Sequence, residues 1–258
     1  LFDVVGRAEA REDADVVVWD LTATDINDSP IVLKGHELPV TCMAVSTDGK
    51  WLATSGIDAV IQLWDLSSDD VGGSVKLLSG HEDTVNQLCF APLGRQLFSG
   101  CEDGSIAVWP VSSDDDPNSS SGTPLAPQHE LRKHDAGVLT LAISPLGDWL
   151  VSGDAQGSVF AWELQSDALS KSFPMNGHRR AVSEIGFASD STTLDSETEV
   201  SNLATAGVDG NVIVWQLSNA GPLRIAEFQD HDGPINDLTW SADGTTLVTC
   251  GDDRAVIL

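Results

Sequence analysis

Five of the six histidines, His36, His81, His134, His178 and His231, recur along the 258-residue chain, with 29 aspartates spread around them. Imidazole and carboxylate together can hold a divalent cation or pass a proton, so metal binding and acid–base catalysis are the first chemistries to weigh. The spacing argues against both. No H-E-x-x-H or C-x-x-C pair brings ligands onto one local element, and no G-x-S-x-G or Walker sequence is present. Asp69-Asp70 and Asp252-Asp253 are isolated pairs, and Asp114-Asp115-Asp116 sits in SSDDDPNSSSGTP, which reads as a solvated insertion. His129 stands apart from the five and reads as a surface residue of a polar loop. The expectation is a chain with no catalytic residues, no cofactor and no metal.

The histidines instead keep step with tryptophans. Trp19, Trp64, Trp109, Trp162 and Trp215 lie 45, 45, 53 and 53 residues apart. His36, His81 and His134 each precede a Trp by 28 residues, and His178 precedes Trp215 by 37 across an insertion from Asp190 to Ser201. A fixed period of this length is the mark of a repeat architecture, in which each copy is one supersecondary unit.

Each copy alternates apolar with small or polar residues at period 2 along Val40–Val45, Val85–Phe90, Val138–Ile143, Val182–Phe187 and Ile235–Trp240. A turn follows (Asp48-Gly49, Leu93-Gly94, Leu146-Gly147, Asp243-Gly244), then a second short strand such as Trp51–Thr54 or Trp149–Ser152. Trp51 and Trp149 share a register position and are expected to pack in the core or at a blade edge. A tight turn (Asp103-Gly104, Asp209-Gly210) leads to the Trp strand, and a fourth strand completes the set, as at Val75–Leu78 or Leu223–Phe228. Four short antiparallel strands per unit predict an all-β fold of propeller blades.

With Gly35-His36, Gly80-His81 and Gly177-His178 as GH elements and Trp19-Asp20 and Trp64-Asp65 as WD dipeptides, the units resemble WD repeats. The resemblance extends over essentially the whole chain and implies a β-propeller of WD-repeat type with four-stranded antiparallel blades. Residues 1–34 would supply the last strands of a partial first blade. Residues 35–258 would supply four whole blades and a final one that stops before its Trp, due at position 259. A fragment of a longer protein, or a ring completed by other segments, is the expectation.

The resemblance also implies a buried hydrogen-bonded tetrad of His, Ser or Thr, turn Asp and Trp in each unit. The sets are His36, Thr54, Asp58, Trp64; His81, Ser99, Asp103, Trp109; and His178, Thr205, Asp209, Trp215. The final unit offers His231, Thr249 and Asp253. In the unit of His134, Ser152 and Trp162, Gln156 stands at the Asp position, so that tetrad is expected to be weakened. The first unit keeps Asp13 and Trp19 but has Glu9 at the hydroxyl position. On the face where partners of the family dock, the carried-over positions include Thr41, Ile57, Asn86, Glu102, Leu139, Ser183, Val208, Asn236 and Asp252. The insertions Ser112–Gln128 and Ser189–Ser201 would leave by the opposite face, with Asp114, Asp115, Asp116, Asp190, Asp195, Glu197 and Glu199 as a negative fringe.

Forty acidic against 13 basic residues give a net charge of −27, a field that repels nucleic acid and anionic lipid. That charge serves solubility, including in salt, or steers a basic partner. No apolar run is long enough for a membrane helix, and the start carries no signal-peptide pattern. Cys42, Cys89, Cys101 and Cys250 read as reduced, buried small residues, which favours an intracellular, cytoplasmic setting. The expected function is a non-catalytic scaffold that presents a propeller face to protein partners. The alternative is a regulatory or sensory domain of a larger enzyme or channel.

Overall fold

The computed structural model describes residues 6–10, 14–20, 30–68, 71, 75–111, 124–164, 171–189 and 200–258. Among these every regular element is a β-strand. β1 (Gly6–Ala10), β2 (Val16–Asp20) and β3 (Ile31–Leu33) form a three-stranded sheet. Four-stranded antiparallel sheets follow: β4 (Val40–Val45), β5 (Trp51–Gly56), β6 (Val60–Asp65), β7 (Val75–Ser79); then β8 (Val85–Phe90), β9 (Gln96–Cys101), β10 (Ser105–Pro110), β11 (His129–Arg132). The third is β12 (Val138–Ile143), β13 (Trp149–Asp154), β14 (Val159–Glu163) and β15 (Ser172–Pro174). The fourth is β16 (Val182–Phe187), β17 (Ser201–Gly207), β18 (Val212–Ser218) and β19 (Gly221–Phe228). β20 (Ile235–Trp240), β21 (Leu247–Gly251) and β22 (Val256–Ile257) make a last sheet of three strands. Each sheet runs in sequence order, as the blade of a WD-repeat propeller does.

Two compact units divide the chain, Leu1–Glu130 and Leu131–Leu258. In the first, Ile61, Leu63, Leu78, Val85, Leu97 and Trp109 pack in one buried cluster that includes Trp51. In the second, Val151, Met175, Val182, Leu203, Ile213 and Trp215 form the corresponding cluster with Trp149. Both tryptophans at the head of the second strand are therefore core residues, and β5 and β13 are buried along their whole length.

The turn between the first two strands is built the same way in three of the sheets. Ser46, Ser144 and Ser241 each accept, through Oγ, the backbone N–H of the residue five positions on: Trp51 (3.0 Å), Trp149 (3.0 Å) and Thr246 (2.9 Å). Gly49, Gly147 and Gly244 supply the positive φ, 69°, 78° and 67°, that closes the turn.

Two sequence expectations are corrected. His129 opens strand β11 instead of lying in a loop, because its segment pairs with β10 to complete a sheet. The end of the Ser112–Gln128 insertion does not merely leave its blade. Leu125 N–H donates to Leu77 O (2.8 Å) and Leu125 O accepts from Ser79 N–H (2.9 Å), so the segment lies along edge strand β7 and covers it. The acids Asp114, Asp115, Asp116, Asp190, Asp195, Glu197 and Glu199 lie outside the described residues, as do Asp69-Asp70 and Asp13; no side chain is described for Glu9.

Candidate functional site

The repeated His, hydroxyl, carboxylate and indole meet as bonded chains inside the blades. His36 Nδ1 lies 2.7 Å from Asp58 Oδ2, its Nε2 lies 2.8 Å from Thr54 Oγ1, and Trp64 Nε1–H donates to the same hydroxyl at 3.0 Å. His178 repeats this with Asp209 (3.1 Å), Thr205 (2.9 Å) and Trp215 (3.0 Å). His231 bonds Asp253 (2.8 Å) and Thr249 (2.9 Å). The direction of the protons follows from the inventory of donors. An indole N–H can only donate, so the hydroxyl accepts from it and gives its own proton to Nε2; that leaves Nδ1–H for the carboxylate. Each chain ties the segment ahead of the first strand to the second strand, the turn after it and, where the Trp is present, the third strand, so removing one member orphans another at about 1–3 kcal/mol.

The unit of His134 overturns the expected weakening. Its carboxylate is Asp154, not residue 156: His134 Nδ1 to Asp154 Oδ2 is 2.8 Å, and Ser152 and Trp162 complete the set at 2.7 and 2.9 Å. Asp154 is fully buried, and its other oxygen accepts N–H from Gln156 (2.9 Å) and Ser158 (2.8 Å).

The position two after the hydroxyl residue decides this. Gly56, Gly207 and Gly251 occupy it elsewhere. A Cβ on Gly207 would fall 2.7 Å from His178 Nδ1 and 2.8 Å from Asp209 Oδ1; on Gly251 it would fall 3.1 and 3.3 Å from the matching atoms. In these two units a side chain there would point into the gap between ring and turn carboxylate. Asp154 fills that gap with a carboxylate of its own.

In the blade of His81 the occupant is Cys101. His81 Nε2 keeps Ser99 at 2.6 Å and Trp109 Nε1–H donates to Ser99 at 2.8 Å. Nδ1 also lies 3.3 Å from Ser105 Oγ, and Asp103 Oδ1 accepts from Ser105 O–H (2.5 Å) and N–H (2.8 Å). The Cys101 thiol donates to Asp83 O at 3.3 Å. By composition alone Cys101 looks like an inert, buried small residue. The signal that it differs lay in the comparison of the units, where glycine is the commoner choice.

The residues carried over as a docking face share a backbone feature. Each first strand shifts register against the second at the same place: between Val40 and Cys42, Val85 and Gln87, Val138 and Thr140, Val182 and Glu184, and Ile235 and Asp237. The residues left over are Thr41, Asn86, Leu139, Ser183 and Asn236. A β-bulge re-aims the extra side chain away from the pleat. Asn86 Nδ2–H donates to Glu102 at 2.8 Å and Asn236 Nδ2–H donates to Asp252 at 2.8 Å, one pair in each compact unit. Thr41 Oγ1–H donates to Val85 O (2.6 Å), linking two blades of the first unit, and Ser183 Oγ–H donates to Ala206 O (3.2 Å). Ile57 is 48% exposed, while Leu139 and Val208 are half-buried.

Burial pushes the thiols of Cys42 and Cys89 up to about 12 and that of Cys101 up to about 11, so none is a ready nucleophile. All four cysteines are free thiols. Among the described residues no helix is long and apolar enough to cross a membrane.

Sheets of this order carrying this tetrad define blades of the WD-repeat type. The family model for the WD domain, G-beta repeat, matches residues 28–65, 72–110, 125–163, 169–216 and 223–258, and the chain belongs to that family. The F-box-like/WD repeat-containing protein TBL1X of Macaca fascicularis is 28% identical over 131 residues, 50% of this chain and 22% of that protein. The chromatin assembly factor 1 subunit FAS2 homolog of Oryza sativa subsp. japonica is 30% identical over 125 residues, 47% of this chain and 24% of that protein. The methylosome protein WDR77 of Xenopus laevis is 26% identical over 121 residues, 47% and 33% respectively. The chain thus spans a third or less of the length of these relatives.

Proposed function

We propose that the chain is a non-catalytic protein-interaction scaffold whose bulged first-strand residues, with the side chains that precede the turn aspartates, contact a protein partner. The observation that carries this reading is the bulge repeated at one position in five blades, which re-aims Thr41 and Asn86 in the first compact unit and Leu139, Ser183 and Asn236 in the second. The Asn86–Glu102 and Asn236–Asp252 bonds hold polar side chains in place before a partner arrives, which lowers the ordering cost of binding. Exposed Ile57 adds apolar contact in the first unit. With Glu102, Asp252 and a net charge of −27, the fitting partner presents apolar residues flanked by Lys or Arg.

The names of the relatives, a chromatin assembly factor subunit and a methylosome protein among them, agree with work inside assemblies. Four free thiols support a reducing, intracellular setting. A second reading, a regulatory or sensory domain of a larger protein, draws on the small share of those relatives that the chain covers. Affinity capture with the chain as bait, repeated with Glu102→Lys and with Asp252→Lys, tests the scaffold reading. A partner retained by the original chain and lost with either variant supports it; a partner indifferent to both substitutions removes these loops from the interface.

A further inference from the structure

We propose that His81, Cys101 and Asp103 form a binding site for a single Zn²⁺ ion in the second blade. One ligand atom from each of the three lies within 4.8 Å of the other two. That spread suits a tetrahedral ion, whose Zn–S bond is about 2.3 Å and whose Zn–N and Zn–O bonds are about 2.0–2.2 Å. The proposal is independent of the docking surface.

The site exists because Cys101 replaces the glycine found at Gly56, Gly207 and Gly251. At Gly207 and Gly251 an added Cβ would fall against His Nδ1 and the turn carboxylate. Here the same position carries a sulfur. His81 Nδ1 is turned toward Ser105, and Asp103 leans on Ser105 as well, so nitrogen, sulfur and oxygen face one small space. Sulfur, imidazole and carboxylate are a zinc donor set, whereas calcium and magnesium take oxygen alone. Cys101 is fully buried and Asp103 reaches solvent, which gives the ion an anchored base and leaves water for the fourth position.

Binding displaces the thiol proton to solvent and turns the His81 ring to the tautomer with its proton on Nε2. Ser99 then accepts two N–H groups, from His81 (2.6 Å) and Trp109 (2.8 Å), which its two lone pairs allow, while its own O–H gives up Nε2 as acceptor, a cost the metal bonds offset. The hydroxyl still orients the ring while its partner changes from carboxylate to metal. Neither the unit of Asp154 nor the three glycine units contains a sulfur here, so the site belongs to one blade.

The test is a titration of the metal-stripped chain with Zn²⁺ by calorimetry and with Co²⁺ by absorption. The chain is expected to take up one equivalent and to show a thiolate-to-cobalt charge-transfer band. Cys101→Gly, which restores the residue of three sister blades, is expected to abolish the band and the uptake while keeping the circular-dichroism spectrum. Cys101→Ser serves the same purpose should the glycine variant misfold. Asp103→Asn is expected to weaken uptake roughly tenfold or more. Failure of the original chain to take up one equivalent, or a band that persists in Cys101→Gly or Cys101→Ser, overturns the assignment.

Discussion

Asp154 bonds His134 from a position two residues nearer the hydroxyl residue than the carboxylates that serve the sister histidines. The bond is 2.8 Å, matching His36–Asp58 at 2.7 Å and His231–Asp253 at 2.8 Å. Two sequence solutions therefore close one structural gap. A glycine lets the turn carboxylate through, and an aspartate at the glycine position replaces it.

This equivalence can be tested by exchanging one solution for the other. Asp154→Gly leaves the buried Nδ1–H of His134 without its acceptor and is expected to cost about 1–3 kcal/mol. Adding Gln156→Asp rebuilds the Gly-x-Asp arrangement of Gly207 and Asp209. The double variant should recover most of the loss in urea denaturation. Strict additivity of the two changes would show that residue 156 cannot reach the ring.

The turn after the second strand needs a left-handed residue in each unit. Gly104, Gly157 and Gly210 meet the need with φ of 82°, 94° and 78°, whereas Ala59 and Arg254 adopt 57° and 66° with a Cβ present. An L-residue pays about 1–2 kcal/mol to sit there, and glycine returns part of that gain as chain entropy. Ala59→Gly and Arg254→Gly are each expected to stabilise by roughly 0.5–1 kcal/mol. A drop in thermal midpoint for both would show that their side chains contribute more than the strain removes.

Much of this was legible in the sequence because rare residues carry it. The Trp and His spacing located the units, and alternation at period 2 placed all five first strands, Val40–Val45 through Ile235–Trp240, at the bounds the structure shows. What escaped depends on distances that spacing does not encode. Asp154 was hidden because register alone assigns the carboxylate to position 156, whereas side-chain reach assigns it to 154. The bulges at Thr41 and its counterparts are a backbone offset with no residue signature. Leu125 sits at the end of a polar insertion, and its pairing with β7 is made by main-chain groups that any residue possesses.

Acid should unfold the second unit in two stages. Burial lowers the His134 imidazole below its usual 6.5, against the opposing pull of Asp154. Because the neutral ring is the folded form, this stability is complete above about 6.5 and is lost as pH falls below it. Burial would raise the Asp209 carboxyl, yet Arg179 N–H (2.8 Å), His178 and Asn211 N–H (3.2 Å) outweigh it and hold the group below 3.8. Its contribution is present above 3.8 and disappears as pH falls through the lowered value. Urea midpoints measured from neutral to acid pH should decline in both windows, and Asp209→Asn should flatten the lower one. A midpoint unchanged below 6.5 would contradict the His134 contribution.

Glu184 has the opposite dependence. Burial on β16, helped by the negative charge of Asp237 on the neighbouring β20, raises its carboxyl from 4.5 to about 7, while the Ile185 N–H opposes the shift. The folded state therefore holds a proton that the unfolded chain releases. The protonated group is at no disadvantage below 4.5, and stability is lost as pH rises through about 7. Glu184→Gln keeps the shape of the side chain without the charge. It should leave stability unchanged at about pH 4 and raise it at about pH 8, on the order of 2 kcal/mol once residual solvent access is discounted. The measurement is the difference in urea midpoint between the two chains across that range. A difference that does not grow with pH would mean that Glu184 ionises in the fold as easily as in water.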